Sequence, residues 1–367
     1  MKLIFFIDSA RKIGGVSYAQ YVFARTLALK GHKVIIFAGD RNFYSDKLNV
    51  DNLTVYYRSS IPTFIKGIGI SRVNDLLRKL HRVFIIKPFV KKYQPDWLIG
   101  YLRVSAIKAQ VLGTLLNIKV ANFVYETPDW LEQQLGNHLP KRLLKSWYKT
   151  QIAYEKSTVL IPNSRLSRAK MVECIPSSRV TEPVYPGVDL DGLDFNPIVR
   201  DIDVIYLGRL HALKNINELL LASSPQQRTV IIGAGEEMTT LQEIASIRNL
   251  KVDFLGSVSD DDKWSYLKRA KLLVSPSSFE GFGMPPLEAL ACGCMVLCSD
   301  IPIFREVYGS DVTYFKLHDV KDLRSKISYL LALNKPSHSL LPQKYTWENA
   351  TLGIEQILTQ YESSLAE

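Results

Sequence analysis

The sequence predicts an α/β protein of two Rossmann-like, doubly wound domains facing each other across a central cleft, and three observations predict it. Short β-branched or aromatic runs alternate with stretches of helical period, the pattern of a parallel sheet with crossover helices. The alternation pauses at Tyr185-Pro186-Gly187-Val188, a Pro/Gly segment that reads as a linker, and then starts again. The 367 residues, 47% hydrophobic and 22% charged, suffice for two full cores. In open sheets of this kind ligands sit beyond the carboxyl ends of the strands, so two facing sheets place the ligand in the cleft.

In the first series Leu3 to Ile7 reads as a buried strand. Val16 to Lys30 reads as a helix with Val16, Ala19, Val22, Phe23 and Leu27 on one face, Gly31-His32 as a turn, and Val34 to Phe37 as the next strand. Trp97 to Tyr101, Lys119 to Val124 and Thr158 to Ile161 continue the sheet, with helices at Val104 to Leu116, Lys141 to Tyr154 and Ser164 to Cys174. The second series begins with the strand Asp203 to Leu207, then the helix Asn217 to Leu221, the strand Val230 to Ile232 and the helix Met238 to Ile247. Val252 to Leu255, Leu272 to Val274 and Met295 to Cys298 supply further strands. After Pro342, Trp347 to Glu362 has Ile354, Ile357, Leu358 and Tyr361 on one side and reads as a last helix returning to the first domain. Residues 1–186 with 347–367 form one domain and 187–346 the other.

Charge divides the chain in the same place. Residues 1–186 hold 29 Lys/Arg against 12 Asp/Glu, a net +17, leaving 17 against 24, a net −7, for the rest, so the halves face different partners. No apolar run approaches the ~20 residues of a membrane span, and Met1 to Ile7 is too short for a signal-peptide core; a cytoplasmic protein is expected. Cys174, Cys292, Cys294 and Cys298 are too few and too clustered for a disulfide framework and read as core thiols rather than a zinc site.

The most informative stretch runs from Ser275 to Gly293, after a strand. It holds Glu280 before a Gly-rich turn and Glu288 just inside a helix. Gly281 and Gly283 let backbone approach a ligand, and the helix opening at Met284 to Leu287 aims N–H groups and positive dipole at an anion. The two carboxylates can then accept hydroxyls from opposite ends of a ligand whose anionic centre lies between them, an order that fits sugar, diphosphate and ribose. Arg209 follows a strand end and Lys214 lies five positions on, where a guanidinium fork and a point charge can both reach phosphate. Gly233-Ala234-Gly235 is not followed by a third glycine at 238, which is Met, so nicotinamide binding is not expected.

These residues resemble the Glu-x7-Glu signature of family 4 retaining glycosyltransferases, which have the GT-B architecture of two Rossmann-like domains. Further pieces match in order: Gly14-Gly15-Val16, Gly208-Arg209-Leu210 with Lys214-Asn215, Gly233-Ala-Gly-Glu236, Leu255-Gly256-Ser257-Val258, Ala291-Cys292-Gly293, Arg305-Glu306-Val307 and Trp347-Glu348. The resemblance implies a nucleotide-diphosphate-sugar donor held by the second domain, with the first domain on the acceptor side. Glu288 then binds the ribose, Glu280 the transferred sugar, and Arg209 and Lys214 the diphosphate. Gly14, Gly15, Asn215, Ser257, Val258, Gly281, Phe282, Gly283, Met284 and Leu287 complete the donor site. No Asp-x-Asp metal motif is read as following a strand, so the basic pair is expected to take the place of a metal ion, and no other cofactor is implied.

The departure from the family pattern lies at Asn122 to Trp130, where many relatives carry a His near Tyr125. Tyr125 can donate a hydrogen bond and Glu126 can act as a base, and either can substitute on the sugar or acceptor side. A non-catalytic sugar-nucleotide-binding protein and a sugar-nucleotide epimerase of the same architecture are the alternatives. Between Lys66 and Lys92 eight basic residues face the single acid Asp75 among Ile68, Leu76, Leu80, Phe84 and other apolar side chains. That segment suits an anionic membrane surface, and with it a lipid-linked saccharide or cell-surface glycan precursor as acceptor at the inner membrane face. Nucleic acid is the poorer explanation of this charge, because no recognition motif accompanies it, and no nucleic-acid partner is expected.

Overall fold

The computed structural model describes residues 1–7, 15–38, 49–57, 86–101, 103–125, 151–188, 199–333 and 343–363. Two compact units result, Met1–Gly187 with Thr346–Glu367, and Val188–Tyr345. Beside the two crossings, Val188 N–H donates to Tyr345 O within the second unit (2.9 Å).

The first unit carries strands β1 (Lys2–Ile7), β2 (Lys33–Ala38), β3 (Leu53–Tyr57), β4 (Trp97–Gly100), β5 (Lys119–Val124) and β6 (Val159–Pro162). They pair in parallel in the order β3-β2-β1-β4-β5-β6. The period-two alternation sorts their side chains cleanly. Leu3, Phe5, Ile7, Val34, Ile36, Trp97, Ile99 and Phe123 face the helices Gly15–Leu29 and Trp347–Ser363, whereas Ile4, Phe6, Ile35, Phe37, Leu98 and Val120 face the helix Arg103–Leu116 and residues 86–93. The last helix is therefore part of the first unit, with Ile354 and Leu358 fully buried in its core.

The second unit repeats the plan with β7 (Ile202–Leu207), β8 (Arg228–Ile232), β9 (Lys251–Gly256), β10 (Ala270–Ser275), β11 (Met295–Ser299) and β12 (Thr313–Phe315). Its order is β12-β11-β10-β7-β8-β9, again parallel throughout. Val204, Tyr206, Ile231, Leu272, Val274 and Leu297 form one face with the helices Ile216–Ala222, Met238–Ile247 and Val320–Leu333. The helix Met284–Ala291 packs on β10, β11 and the helix Asp260–Arg269. Both sheets have the order of a doubly wound Rossmann sheet, and in each the order reverses beside the first strand.

Several elements go beyond those expected from sequence. Strand β3 is a half-buried edge strand and β12 is three residues long, so neither carries a strong alternating pattern. The helix Asp260–Arg269 buries only Leu267 on an otherwise charged surface. Of the helix expected at Lys141 to Tyr154, only residues 151–154 are described, and they are helical. Among the described residues no helix is long and apolar enough to cross a membrane.

The packing of the last helix is testable. Ile354→Ala should destabilise the first unit by about 2–5 kcal/mol in denaturant unfolding, because it opens a cavity in a closed core. Leu352→Ala, at an exposed position of the same helix, should change stability by less than about 0.5 kcal/mol.

Candidate functional site

The candidate site is built on the carboxyl edge of the second unit's sheet. The loops leaving β7 and β8 are in direct backbone contact: Gly208 N–H donates to Ile232 O (3.0 Å) and Leu210 N–H to Ala234 O (3.1 Å). Gly233, at φ +141°, permits this, since a Cβ there would lie 1.8 Å from Gly208 O. Tyr206, buried on β7, donates its hydroxyl to Arg209 O (3.0 Å) and fixes the turn from below. Arg209 then emerges 66% exposed, with Nη2 3.3 Å from Glu236 Oε2. His211 Nε2 lies 3.4 Å from the other Glu236 oxygen. Its Nδ1 accepts from Leu213 N–H (3.2 Å), so a neutral ring carries its proton on Nε2, towards Glu236. Hydrogen bonding by its own backbone, followed by the charges of Arg209 and His211, holds the Glu236 carboxyl below its ordinary range.

The second part joins the loops after β7 and β10. Lys214 closes the short 3₁₀ turn Ala212–Lys214 and places Nζ 2.6 Å from Glu280 Oε1, which also accepts from the Ser277 hydroxyl (2.8 Å). Asn215 takes a left-handed conformation (φ 47°) and donates Nδ2 to Pro276 O (3.0 Å). Ser278 donates both its N–H (2.9 Å) and its hydroxyl (3.1 Å) to Leu213 O. The expected donor contact Asn215 thus has its side-chain amide engaged in tying the two loops together.

The third part is the turn into the helix Met284–Ala291. Gly283, the residue before that helix, sits at φ +91° and ψ 62°, where a Cβ would meet the Phe304 ring at 2.5 Å, and Tyr308 donates its hydroxyl to Gly283 O. Pro285 and Pro286 follow Met284 and carry no N–H, so of the four backbone positions at the helix opening only Gly283 and Met284 have N–H groups to offer an anion. This narrows the row of donors expected from sequence. The side chain of Leu287 is fully buried, and Phe282 is buried with its ring edge-on to Tyr345 (6.1 Å). Glu288 does not stand alone: Lys263 Nζ lies 2.8 Å from its Oε1. Ser257 is exposed and Val258 half-buried, while Ser259 caps the helix Asp260–Arg269, its Oγ accepting from Asp262 N–H (3.1 Å). An Asp-x-Asp run, Asp260-Asp261-Asp262, therefore does follow a strand, contrary to the sequence reading. It forms the first turn of that helix, where carboxylates complement the dipole.

Residues 195–347 match the sequence family described as glycosyl transferases, group 1. That stretch is a group 1 glycosyl transferase domain. The serotype-specific mannosyltransferase WbdA of Escherichia coli is 33% identical to the chain over 199 residues, 49% of this chain and 24% of that protein. The chain thus spans about a quarter of the length of that curated relative. The phosphatidylinositol N-acetylglucosaminyltransferase gpi3 subunit of Schizosaccharomyces pombe is 26% identical over 389 residues, covering 96% of this chain and 78% of that one. The crystal structure of Anabaena Alr3699/HepE in complex with UDP and glucose shares the fold, with a TM-score of 0.75 at 14% identity over 98% of this chain and 100% of that one. The two-Rossmann, GT-B fold is common to both chains.

Of the residues expected to serve the transferase, the structure brings Arg209, Lys214, Asn215 and Glu280 onto the two loops flanking the point where strand order reverses. Glu288 lies one helical segment on. His211, Ser277, Lys263 and Tyr308 join them without having been singled out, as does Glu236, which the sequence marks only as the end of the matching turn Gly233-Ala-Gly-Glu236. Of these, His211 gave a signal, standing two residues after Arg209 at the cap of a turn. In the first unit Gly15 opens the helix Gly15–Leu29, while Gly14 and Glu126 lie outside the described residues. Tyr125 follows β5 and is buried against Tyr101 (6.1 Å) and Phe123 (6.4 Å), and burial pushes its phenol up, so it remains protonated.

The three cysteines of the transferase domain are buried, and burial pushes Cys292 and Cys294 up to about 12 and Cys298 upward as well. Cys174, in the first unit, is exposed. At pH 8 the buried thiols are therefore protonated and shielded, and a disulfide reagent should label one thiol per native chain rapidly and all four only after unfolding.

Proposed function

We propose that the protein is a retaining glycosyltransferase that moves a sugar from a nucleoside-diphosphate sugar to an acceptor hydroxyl. The observation that carries this reading is the Lys214–Glu280 pair, 2.6 Å apart, bridging the two switch-point loops of a group 1 glycosyl transferase domain, with Arg209 on the same loop as Lys214. A diphosphate entering there recruits Lys214 and the exposed Arg209 as charge-assisted donors. Glu280, relieved of Lys214, accepts a hydroxyl of the donor sugar. As the bond from the anomeric carbon to the phosphate oxygen breaks, negative charge grows on the diphosphate where the two cations and the helix opening at Met284 stand, which stabilises the transition state. The acceptor oxygen bonds to the anomeric carbon on the face the diphosphate leaves, and the departing phosphate oxygen takes the acceptor proton. Configuration is retained without a covalent intermediate. The basic pair supplies the positive charge, and no metal ion is required.

The acceptor is a glycan or lipid-linked hydroxyl. Support comes from the names of the relatives, one a serotype-specific mannosyltransferase and one a phosphatidylinositol-directed transferase. The companion proposal, contact with an anionic membrane from the cytoplasmic side, rests on the stretch from Lys66 to Lys92, of which residues 66–85 lie outside the described residues. In the adjoining part, Ile86 and Val90 pack into the core of the first unit. The alternatives, an epimerase or a binding protein without turnover, are separated by incubation with a panel of nucleotide sugars: transfer or slow donor hydrolysis marks the transferase, an epimerised sugar or binding alone marks the others. Activity in excess EDTA tests the metal-independent step.

Arg209→Ala and Lys214→Ala should each lower turnover at least tenfold, in line with about 1.5–3 kcal/mol for a hydrogen bond to a charged group, with thermal unfolding little changed in Arg209→Ala and lowered in Lys214→Ala, which leaves the mostly covered Glu280 without its cation. Full activity in both variants would overturn the diphosphate assignment. Glu288→Gln should weaken binding of the free nucleoside diphosphate in calorimetry, whereas Glu280→Gln should leave that affinity intact and depress sugar transfer. Indistinguishable nucleotide affinities for wild type and Glu288→Gln would reject this division of roles.

A further inference from the structure

Lys263 is a mostly covered cation that the proposed reaction leaves without a task. It stands one turn into the helix Asp260–Arg269, directly after the Ser257-Val258 loop, and its side chain is only 17% exposed. Its ammonium lies 2.8 Å from Glu288 Oε1, 3.4 Å from Asp260 Oδ1 and 4.4 Å from the centre of the Trp264 ring. An ammonium has three N–H donors, and this surface of two carboxylates and an aromatic face occupies them. Burial pulls the Lys263 pKa down, but Glu288 and Asp260 outweigh it and leave the group above its ordinary value, a permanent cation at neutral pH.

We propose that Lys263 is a positioning residue for the nucleotide: it locks Glu288 from the protein side so that the carboxylate is pre-set to accept the vicinal hydroxyls of a ribose. This rests on the ribose-binding reading of Glu288 above. Two features favour a diol over an anion as the group received. One cation between two carboxylates is a net negative cluster, which repels phosphate and attracts hydroxyl donors. Glu288 is itself only 15% exposed, and a carboxylate held by an ion pair at one oxygen loses less freedom when a ligand engages it. The consequence is a preference for ribonucleotides over 2′-deoxyribonucleotides that depends on a residue in a different helix from the acceptor.

The test is calorimetric binding of UDP, GDP, ADP and CDP, each alongside its 2′-deoxy form, to the full chain as wild type, Lys263→Met and Lys263→Arg, with thermal unfolding of all three. Wild type should prefer the ribo form of the base it binds by on the order of tenfold. Lys263→Met should bind that ribonucleotide at least fivefold more weakly and the deoxy form about as before, so that the preference shrinks towards one, and Lys263→Arg should restore much of it. Equal losses for both forms in Lys263→Met, or no loss for either, would overturn the positioning role while leaving the transferase reading in place. Failure of the wild type to bind any of the eight nucleotides would overturn the nucleotide reading itself, and this inference with it.

Discussion

The reversal of strand order between β7 and β10 is the constraint from which the rest of the site follows. In a doubly wound sheet the connections on the two sides of that reversal depart to opposite faces, so the loops leaving the two adjacent strands diverge. Here the loop after β7 runs through Arg209 and Lys214 into a helix on one face, and the loop after β10 runs through Glu280 into the helix Met284–Ala291. A ligand at the edge then meets basic side chains from one loop and a carboxylate from the other. The hydrogen bonds of Asn215 to Pro276 and of Ser278 to Leu213 hold the two loops in register, so this juxtaposition is a property of the backbone before any ligand arrives.

Three cations of the site are each matched to a carboxylate: Arg209 to Glu236, Lys214 to Glu280, Lys263 to Glu288. The exposure of the pairs orders their behaviour. Arg209 and Glu236 are in solvent, where an ion pair contributes little, and the guanidinium is free to turn to a better partner. Lys214 and Glu280 are mostly covered, so separating them without replacement would strand charge away from water; on the proposed mechanism the diphosphate becomes the partner of Lys214 and a sugar hydroxyl that of Glu280. Lys263 and Glu288 are the most enclosed by other groups, which suits a pair that stays together. The same chemical motif, a lysine or arginine against a glutamate, thus takes three roles according to burial.

Much of the fold was legible in the sequence because parallel strands covered on both faces leave an unmistakable trace. Runs such as Leu3 to Ile7 and Leu272 to Val274 are apolar at every position, and the helix Met238–Ile247 lies where its period places it. Strand β3 and the helix Asp260–Arg269 left a weaker trace, since one is a half-buried sheet edge and the other buries a single residue. The site was legible where its residues lie within one turn or loop, as in Glu280 to Glu288 or Arg209 to Lys214. Lys263 was not, and Glu236 was legible as part of a turn but not as the partner of Arg209, because each acts on a residue 25 to 27 positions away, and only the order of strands brings them together. A charged side chain in a polar helix looks solvated until the fold shows what it faces.

The two prolines after Met284 bear on how such a site handles anionic charge. A helix opening normally offers a cluster of backbone N–H groups, which bind an anion through many modest dipoles. Pro285 and Pro286 remove two of these and stiffen the turn that Gly283 and Tyr308 already fix, so this opening is rigid but poor in donors. The charge that the backbone does not supply has to come from side chains, and Arg209 and Lys214 on the opposite loop are the groups placed to supply it. Full cations exceed single peptide dipoles in strength and can move with the group they hold, which on the proposed mechanism is a diphosphate pulling away from a sugar. A rigid, donor-poor wall facing two mobile cations is an arrangement suited to stabilising a charge that develops as its bond breaks.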